Sequence, residues 1–422
     1  MVHATACSEI IRAEVAELLG VRADALHPGA NLVGQGLDSI RMMSLVGRWR
    51  RKGIAVDFAT LAATPTIEAW SQLAACTGVA PTAVAAPGDA GLSQEGEPFP
   101  LAPMQHAMWV GRHDHQQLGG VAGHLYVEFD GARVDPDRLR AAATRLALRH
   151  PMLRVQFLPD GTQRIPPAAG SRDFPISVAD LRHVAPDVVD QRLAGIRDAK
   201  SHQQLDGAVF ELALTLLPGE RTRLHVDLDM QAADAMSYRI LLADLAALYD
   251  GREPPALGYT YREYRQAIEA EETLPQPVRD ADRDWWAQRP SSCRIRTPRQ
   301  VAANVRRRST RRWHWLDPQT RDALFARARA RRITPAMTLA AAFANVLARW
   351  SASSRFLLNL PLFSRQALHP DVDLLVGDFT SSLLLDVDLT GARTAAARAQ
   401  AVQEALRSAL GHRCIPRAVC AA

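Results

Sequence analysis

The chain has 422 residues, 47% hydrophobic and 23% charged, with a formal net charge of +5. That is too long for one compact core, and the composition is that of a globular protein of two or three domains. No run of about 18 apolar residues occurs, which argues against a helical membrane span, and the positive excess sits in residues 289–312, nine arginines without an acid, rather than on a recognition module for nucleic acid.

At the N-terminus Glu9 stands where a signal peptide needs its apolar stretch, so the expected location is the cytoplasm. Residues 5–76 read as a small all-α unit. Ile10, Ile11, Val15, Leu18 and Leu19 recur at helical spacing before Gly20, and a second helix starts at the turn Gly36-Leu37-Asp38-Ser39, with Ile40, Met43, Val46 and Trp49 on its apolar stripe. A third short helix follows Pro65. None is long enough to be stable alone, so they must pack as a bundle. Residues 77–97 are rich in Ala, Pro and Gly without periodicity, which predicts an extended tether.

From Phe99 onward the pattern is mixed. A helix through Met104, Met108 and Trp109 precedes a strand at 124–129, and a helix spans 136–149. Strands are expected at 211–217 and 224–228, then a helix at 238–248. The same grammar returns in a helix at 335–350 and strands at 356–360 and 382–388, which implies an α/β unit of two similar lobes. The five cysteines are scattered and form no C-x-x-C pair, so neither a disulfide framework nor a zinc site is expected.

Two constellations have chemical potential. Ser39 opens a helix, where its hydroxyl is either a helix cap or an attachment point for a phosphodiester, which the positive end of a helix favours. Asp229-Met-Gln-Ala-Ala-Asp234-Ala-Met-Ser237 follows a strand directly. There Asp229 is either a positioned carboxylate or a turn-former, and Ser237 is a candidate cap for the next helix. His150 and His225, beside apolar strand and helix ends, read as hydrogen-bonded structural residues, and Trp285 and Trp286 as packing.

The stretch GLDSIRMM resembles the aryl carrier proteins of siderophore nonribosomal peptide synthetases. That resemblance implies 4′-phosphopantetheine on Ser39, with Asp38, Ile40, Met42 and Met43 forming the surface that a phosphopantetheinyl transferase and partner domains recognise. The nine residues from Asp229 resemble the DxxxxDxxS signature of heterocyclization domains. FPLAPMQHAMWVGR at 99–112, RHPML at 149–153, TPAMTLAAAFANVLARWS at 334–351 and GDFTSSLLL at 377–385 are similar to other motifs of that family, in the expected order. The resemblance implies a carrier four-helix bundle followed by a two-lobed α/β fold like that of chloramphenicol acetyltransferase. It implies condensation of a carrier-bound salicyl or other aryl group with Ser or Thr on a second carrier, then cyclisation to an oxazoline. Asp229 becomes the catalytic candidate, and Asp234 is paired by analogy with an arginine of the second lobe, Arg365. Implied partners are an aryl-acid adenylating enzyme and downstream adenylation and peptidyl carrier domains. A carrier module beside an inactive domain, and an ordinary amide-forming condensation enzyme, remain as alternatives.

The expected division is a carrier at 5–76, a linker at 77–97, a first lobe at 98–280 and a second lobe at 281–422. Residues 290–306 and 411–422 depart from the family pattern in the way shifted reading frames would, and a PVVFTS-like segment linked to cyclodehydration does not occur. The second lobe is therefore expected to be incomplete, leaving apolar surface exposed at Leu383 to Leu385 and from Ala395 onward.

Overall fold

The computed structural model describes residues 2–19, 21–35, 37, 42, 45–46, 49, 56, 61, 64–76, 96–113, 120, 122–168, 173–205, 207–272, 277–287, 312–351, 353–363, 365–366, 368–410 and 412. Asp38, Ser39, Ile40 and Met43 lie outside the described residues. So do the segment 290–306, the linker up to residue 95 and, apart from His412, the segment 411–422.

The N-terminal unit contains α1 (Val2–Leu19) and α2 (Ile67–Cys76). Positions 42, 45, 46 and 49 are helical and buried between them in sequence. Its core gathers Ile11, Val15, Leu32, Leu37, Met42, Leu45, Trp49, Leu61, Ile67 and Trp70. Trp49 and Trp70 meet edge to face at 5.6 Å, an arrangement that suits the ring quadrupoles. Both indoles are satisfied, Trp49 donating to Glu14 at 2.7 Å and Trp70 to the Leu61 carbonyl at 3.1 Å. One correction concerns Met42. Expected to present its side chain to partners, it is 3% exposed and belongs to this core. The reason is spacing, since Met42 shares a helix face with Leu45, Val46 and Trp49. Ile10, placed on the apolar stripe by its sequence, instead faces outward.

The next elements in chain order are β1 (Phe99–Pro100), α3 (Pro103–Gly111), β2 (His124–Ala132), α4 (Pro136–Arg149), β3 (Gln156–Phe157), β4 (Thr162–Arg164) and β5 (Ile176–Asp180). They are followed by α5 (Pro186–Ser201), β6 (Phe210–Leu216), β7 (Arg221–Asp229), α6 (Ala235–Tyr249), α7 (Tyr261–Glu272) and α8 (Pro277–Ala287). Four strands form one sheet in the order β2-β7-β6-β5, antiparallel except for the parallel β5–β6 pair, and β1, β4 and β3 form a small second sheet. Helices α4 and α6 bury Leu139, Leu146, Leu241 and Leu245 with Leu212, Leu214, Val226 and Leu228 of the sheet.

The opposite side of the sheet is polar and is tied to α5. Lys200 reaches Asp227 at 2.7 Å, Arg197 reaches Glu128 at 2.6 Å, and His225 sits between Tyr126 and Thr215 at 2.7 and 2.9 Å. This explains why β7 begins at Arg221, three residues before the strand expected from apolar alternation. Its polar N-terminal residues are paired across β2 and β6, a link that hydrophobic pattern does not reveal.

The remaining described elements are α9 (Pro318–Arg329), α10 (Pro335–Trp350), β8 (Arg355–Phe363), β9 (Thr380–Asp388) and α11 (Ala395–Leu410). Strands β8 and β9 pair antiparallel, and α10 and α11 pack over them around Phe356, Leu385, Val387, Ala344 and Val402. Contrary to expectation, Leu383 and Leu385 are 0% exposed. Residues Ala399, Val402 and Ala409 of α11 are buried too, and Trp286 of α8 packs on Leu383 and Ala409. The apolar exposure of this part of the chain lies instead on α10, where Leu339, Phe343, Val346 and Trp350 form an outward stripe at helical spacing.

Candidate functional site

Asp229 is the last residue of β7, register partner of His124 on β2, and 1% exposed. Its two oxygens are held separately. Oδ2 forms an ion pair with Arg112, the residue that caps the C-terminus of α3. Oδ1 accepts the Gln231 N–H at 2.9 Å, which is the Asx-turn geometry of the alternative reading. The carboxylate is thus both turn-former and ion-pair partner. Burial pushes its pKa up, opposed by Arg112, the Gln231 N–H and His124.

Five residues on, Asp234 caps α6, accepting the Ser237 N–H at 2.7 Å. This corrects the role expected of Ser237. Either residue is a good cap by type, and the one three residues earlier takes the position because the Ser237 hydroxyl is engaged elsewhere. Ser237 Oγ donates to the Gly377 carbonyl at 2.9 Å and accepts from the Gly377 N–H at 3.1 Å and from Arg365 Nη2 at 3.0 Å. Arg365 Nη2 also lies 3.1 Å from Asp234 Oδ1, so the structure brings the two residues together across 131 positions of sequence. The same guanidinium donates to the Val372 and Leu375 carbonyls at 2.8 Å each and stacks 3.9 Å over the Phe379 ring.

The joint closes on the loop around Gly377 and Asp378. A Cβ at position 377 would come within 2.2 Å of the Tyr261 ring, so only glycine lets this backbone approach. The Tyr261 hydroxyl lies 2.7 Å from the Asp378 carbonyl. Asp378 is 2% exposed, and burial pushes its carboxyl up to about 7, with Asp234 adding and the Thr380 hydroxyl and N–H opposing.

An acid whose folded pKa exceeds its unfolded value holds its proton more tightly when folded. Asp378 therefore withdraws stability as pH rises from about 4 to about 7, and no further above. The variant Asp378→Asn keeps the Oδ1 acceptor for the Thr380 N–H. It is expected to match the wild type near pH 4 and to exceed it by on the order of 4 kcal/mol near pH 8. Thermal midpoints across that range test this, and a difference that does not vary with pH contradicts it.

His150 and His225 take no part in the joint. His150 bonds Asp244 at 2.8 Å, and burial pushes His225 down to about 4, which keeps it neutral between its two hydroxyl partners. Arg112, Gln105 and Asp378 were not singled out by sequence reasoning, although each lies inside a stretch that carried the resemblance. The seven-residue spacing of Gln105 and Arg112 was the available signal, because it puts both on one face of a helix.

Comparison with known proteins agrees with this architecture. Residues 96–418 match the condensation-domain family, and residues 9–74 match the phosphopantetheine attachment site. The cofactor is accordingly a covalently attached 4′-phosphopantetheine. The chain is 94% identical over 421 residues to phenyloxazoline synthase MbtB of Mycobacterium tuberculosis, covering 99% of this chain and 30% of that protein. It is 36% identical over 440 residues to pyochelin synthetase PchE of Pseudomonas aeruginosa, covering 98% of this chain and 29% of that one. The chain thus spans about 30% of the length of these relatives. Among solved structures, the EpoB cyclization-docking bidomain of a nonribosomal peptide synthetase from Sorangium cellulosum superposes with a TM-score of 0.64 at 32% identity, over 76% of this chain and 66% of that one. No described helix is long and apolar enough to cross a membrane. With Asp234 and Ser237 of the DxxxxDxxS stretch joined to Arg365, the chain belongs to the condensation-domain family, with a phosphopantetheine attachment site ahead of that domain.

Proposed function

We propose that this chain is the carrier and heterocyclization portion of a siderophore-forming nonribosomal peptide synthetase of the mycobactin type. It bears an aryl group, salicyl by analogy with the phenyloxazoline relative, and joins it to Ser or Thr on a second carrier on the way to an oxazoline. The observation that carries this reading is the site itself. A DxxxxDxxS stretch supplies one buried carboxylate at a strand end and a second that ties the lobes together.

In this reading the carrier spans 5–76 as a four-helix bundle, the linker 77–97, and the two lobes, of the chloramphenicol-acetyltransferase type, 98–280 and 281–422. Ser39 is the attachment residue. It falls in sequence between two core anchors, Leu37 and Met42, 1% and 3% exposed, which fits an attachment point that must be held without burying the arm. Phosphopantetheine supplies a thiol on a flexible arm for holding the acyl group. Asp38, Ile40 and Met43 are the recognition residues, Met42 being left out by its burial. A phosphopantetheinyl transferase, an aryl-acid adenylating enzyme and downstream adenylation and peptidyl carrier domains are the partners, in the cytoplasm.

Asp229 is the working carboxylate. Burial raises its proton affinity towards the range useful for accepting a proton from an incoming amine, and Arg112 holds it in one orientation. Asp234, Ser237 and Arg365 keep the lobes in register. To test this, the chain is loaded with salicylate and offered a Ser- or Thr-charged carrier, with products followed by mass. Asp229→Asn is expected to slow acyl transfer by about 10²- to 10⁴-fold. Undiminished transfer in that variant removes Asp229 from the chemistry. An amide formed without loss of water would assign the chain to ordinary condensation instead.

A further inference from the structure

Helix α3 reaches both oxygens of Asp229 from a single face. Gln105 and Arg112 lie seven residues, two helical turns, apart. Arg112 takes Oδ2 directly. Gln105 reaches Oδ1 through an intermediary: its Nε2 donates to the Gln231 carbonyl at 2.8 Å, Gln231 Nε2 donates back to the Gln105 carbonyl at 3.2 Å, and the Gln231 N–H occupies Asp229 Oδ1 at 2.9 Å. Gln105 and Gln231 are both 0% exposed, so water does not compete for these bonds.

On its other side, Gln105 Oε1 lies 3.3 Å from the Tyr261 hydroxyl, which also contacts the Asp378 carbonyl. A continuous buried relay thus runs from the second-lobe loop to the first-lobe carboxylate. Gln163 forms a reciprocal amide pair with Gln105, at 2.8 and 3.1 Å, but no bond to Gln231 is among its contacts.

We propose that Gln105 is a positioning residue for Asp229, holding the Gln231 N–H on Oδ1 and, through Tyr261, making that hold depend on the seating of the loop at 377–379. The inference rests on the reading of Asp229 as the working carboxylate. An N–H on a carboxylate oxygen favours the charged form and stops the group from rotating, so releasing it changes both the proton affinity and the aim of the acid.

The test follows the Asp229 carboxyl by ¹³C NMR across pH in the whole chain labelled at aspartate, its signal assigned by its disappearance in Asp229→Asn. Gln105→Met keeps the side-chain length and removes the amide, while the charged and titratable neighbours of Asp229, Arg112 on α3 and His124 on β2, stay in place. The expected result is an upward shift of the Asp229 midpoint and about a tenfold loss of acyl transfer at neutral pH. Gln163→Met removes the same amide pair and is expected to lower stability without moving that midpoint. If Gln105→Met does not fold, Gln105→Asn, too short to span to the Gln231 carbonyl, gives the same readout. An unmoved midpoint in the Gln105 variant, or an equal shift in Gln163→Met, overturns the proposal. A shift specific to Gln105 beside wild-type activity in Asp229→Asn would uphold the positioning and overturn the catalytic reading alone.

Discussion

Replacement of Ser39 by Ala is expected to abolish the mass gain that the chain otherwise shows after incubation with coenzyme A and a phosphopantetheinyl transferase. Attachment of the arm needs one hydroxyl oxygen, and alanine supplies none, so the effect is all or none rather than graded. The fold should survive. A helix-capping hydroxyl is worth about 1 kcal/mol, and the core around Trp49 and Trp70 does not depend on it. Intact-mass measurement together with circular dichroism separates loss of attachment from loss of structure. A Ser39→Ala protein that still gains the mass would move the attachment elsewhere, and a wild-type chain that gains nothing would end the carrier reading.

Replacement of Arg365 by Ala should be the most damaging single change to the stability of the condensation domain. Asp234 is 0% exposed, and Arg365 is the charge that compensates it. Removing one partner of a buried pair leaves the other as an uncompensated charge, at a cost of about 3–5 kcal/mol. The same substitution removes donors from the Val372 and Leu375 carbonyls and from Ser237, and the cation from the Phe379 ring. Lysine is not expected to rescue, since one ammonium cannot reproduce the forked contacts. The urea midpoint of the condensation domain measures the effect, and the carrier, with its own core, should unfold as before. A cost below about 1 kcal/mol would mean that the joint contributes little, as surface pairs do. In Asp234→Asn/Arg365→Ala the loss should be smaller than the sum of the two single losses, because the stranded charge has gone.

How far the fold was legible depends on the element. Helices α4 and α10 were placed residue for residue, because Asp135 and Thr334 are strong caps and each helix has proline in its first turn. Strands β7 and β9 ran longer than their apolar alternation, since their polar ends are paired with neighbouring strands. Strand β5 and helices α5, α9 and α11 went unread. β5 is short and gains its place from parallel pairing with β6, and the three helices have few large apolar residues to set a period.

The site divides in the same way. Asp229, Asp234, Ser237 and Arg365 were reached through motif resemblance, yet the choice of Asp234 over Ser237 as the cap was hidden. Two good caps three residues apart are locally equivalent, and the contact that separates them comes from Gly377, 140 positions away in sequence. Met42 was misassigned because a motif position says nothing about which way a helix is turned, whereas its packing with Leu45 and Trp49 does.

By itself, the sequence determined what is settled within a turn or two of chain: the extents of helices such as α4 and α10, and the ordered motifs that mark the family. The tertiary structure alone decided which groups meet. The pairing of Arg112 with Asp229 joins residues 117 apart, and the relay from Asp378 through Tyr261 and Gln105 to Gln231 links segments far apart in sequence. Local signals arise from backbone groups that must be satisfied nearby. A buried charge or amide can instead be satisfied by any segment the fold brings within about 3 Å, and no local pattern specifies which one.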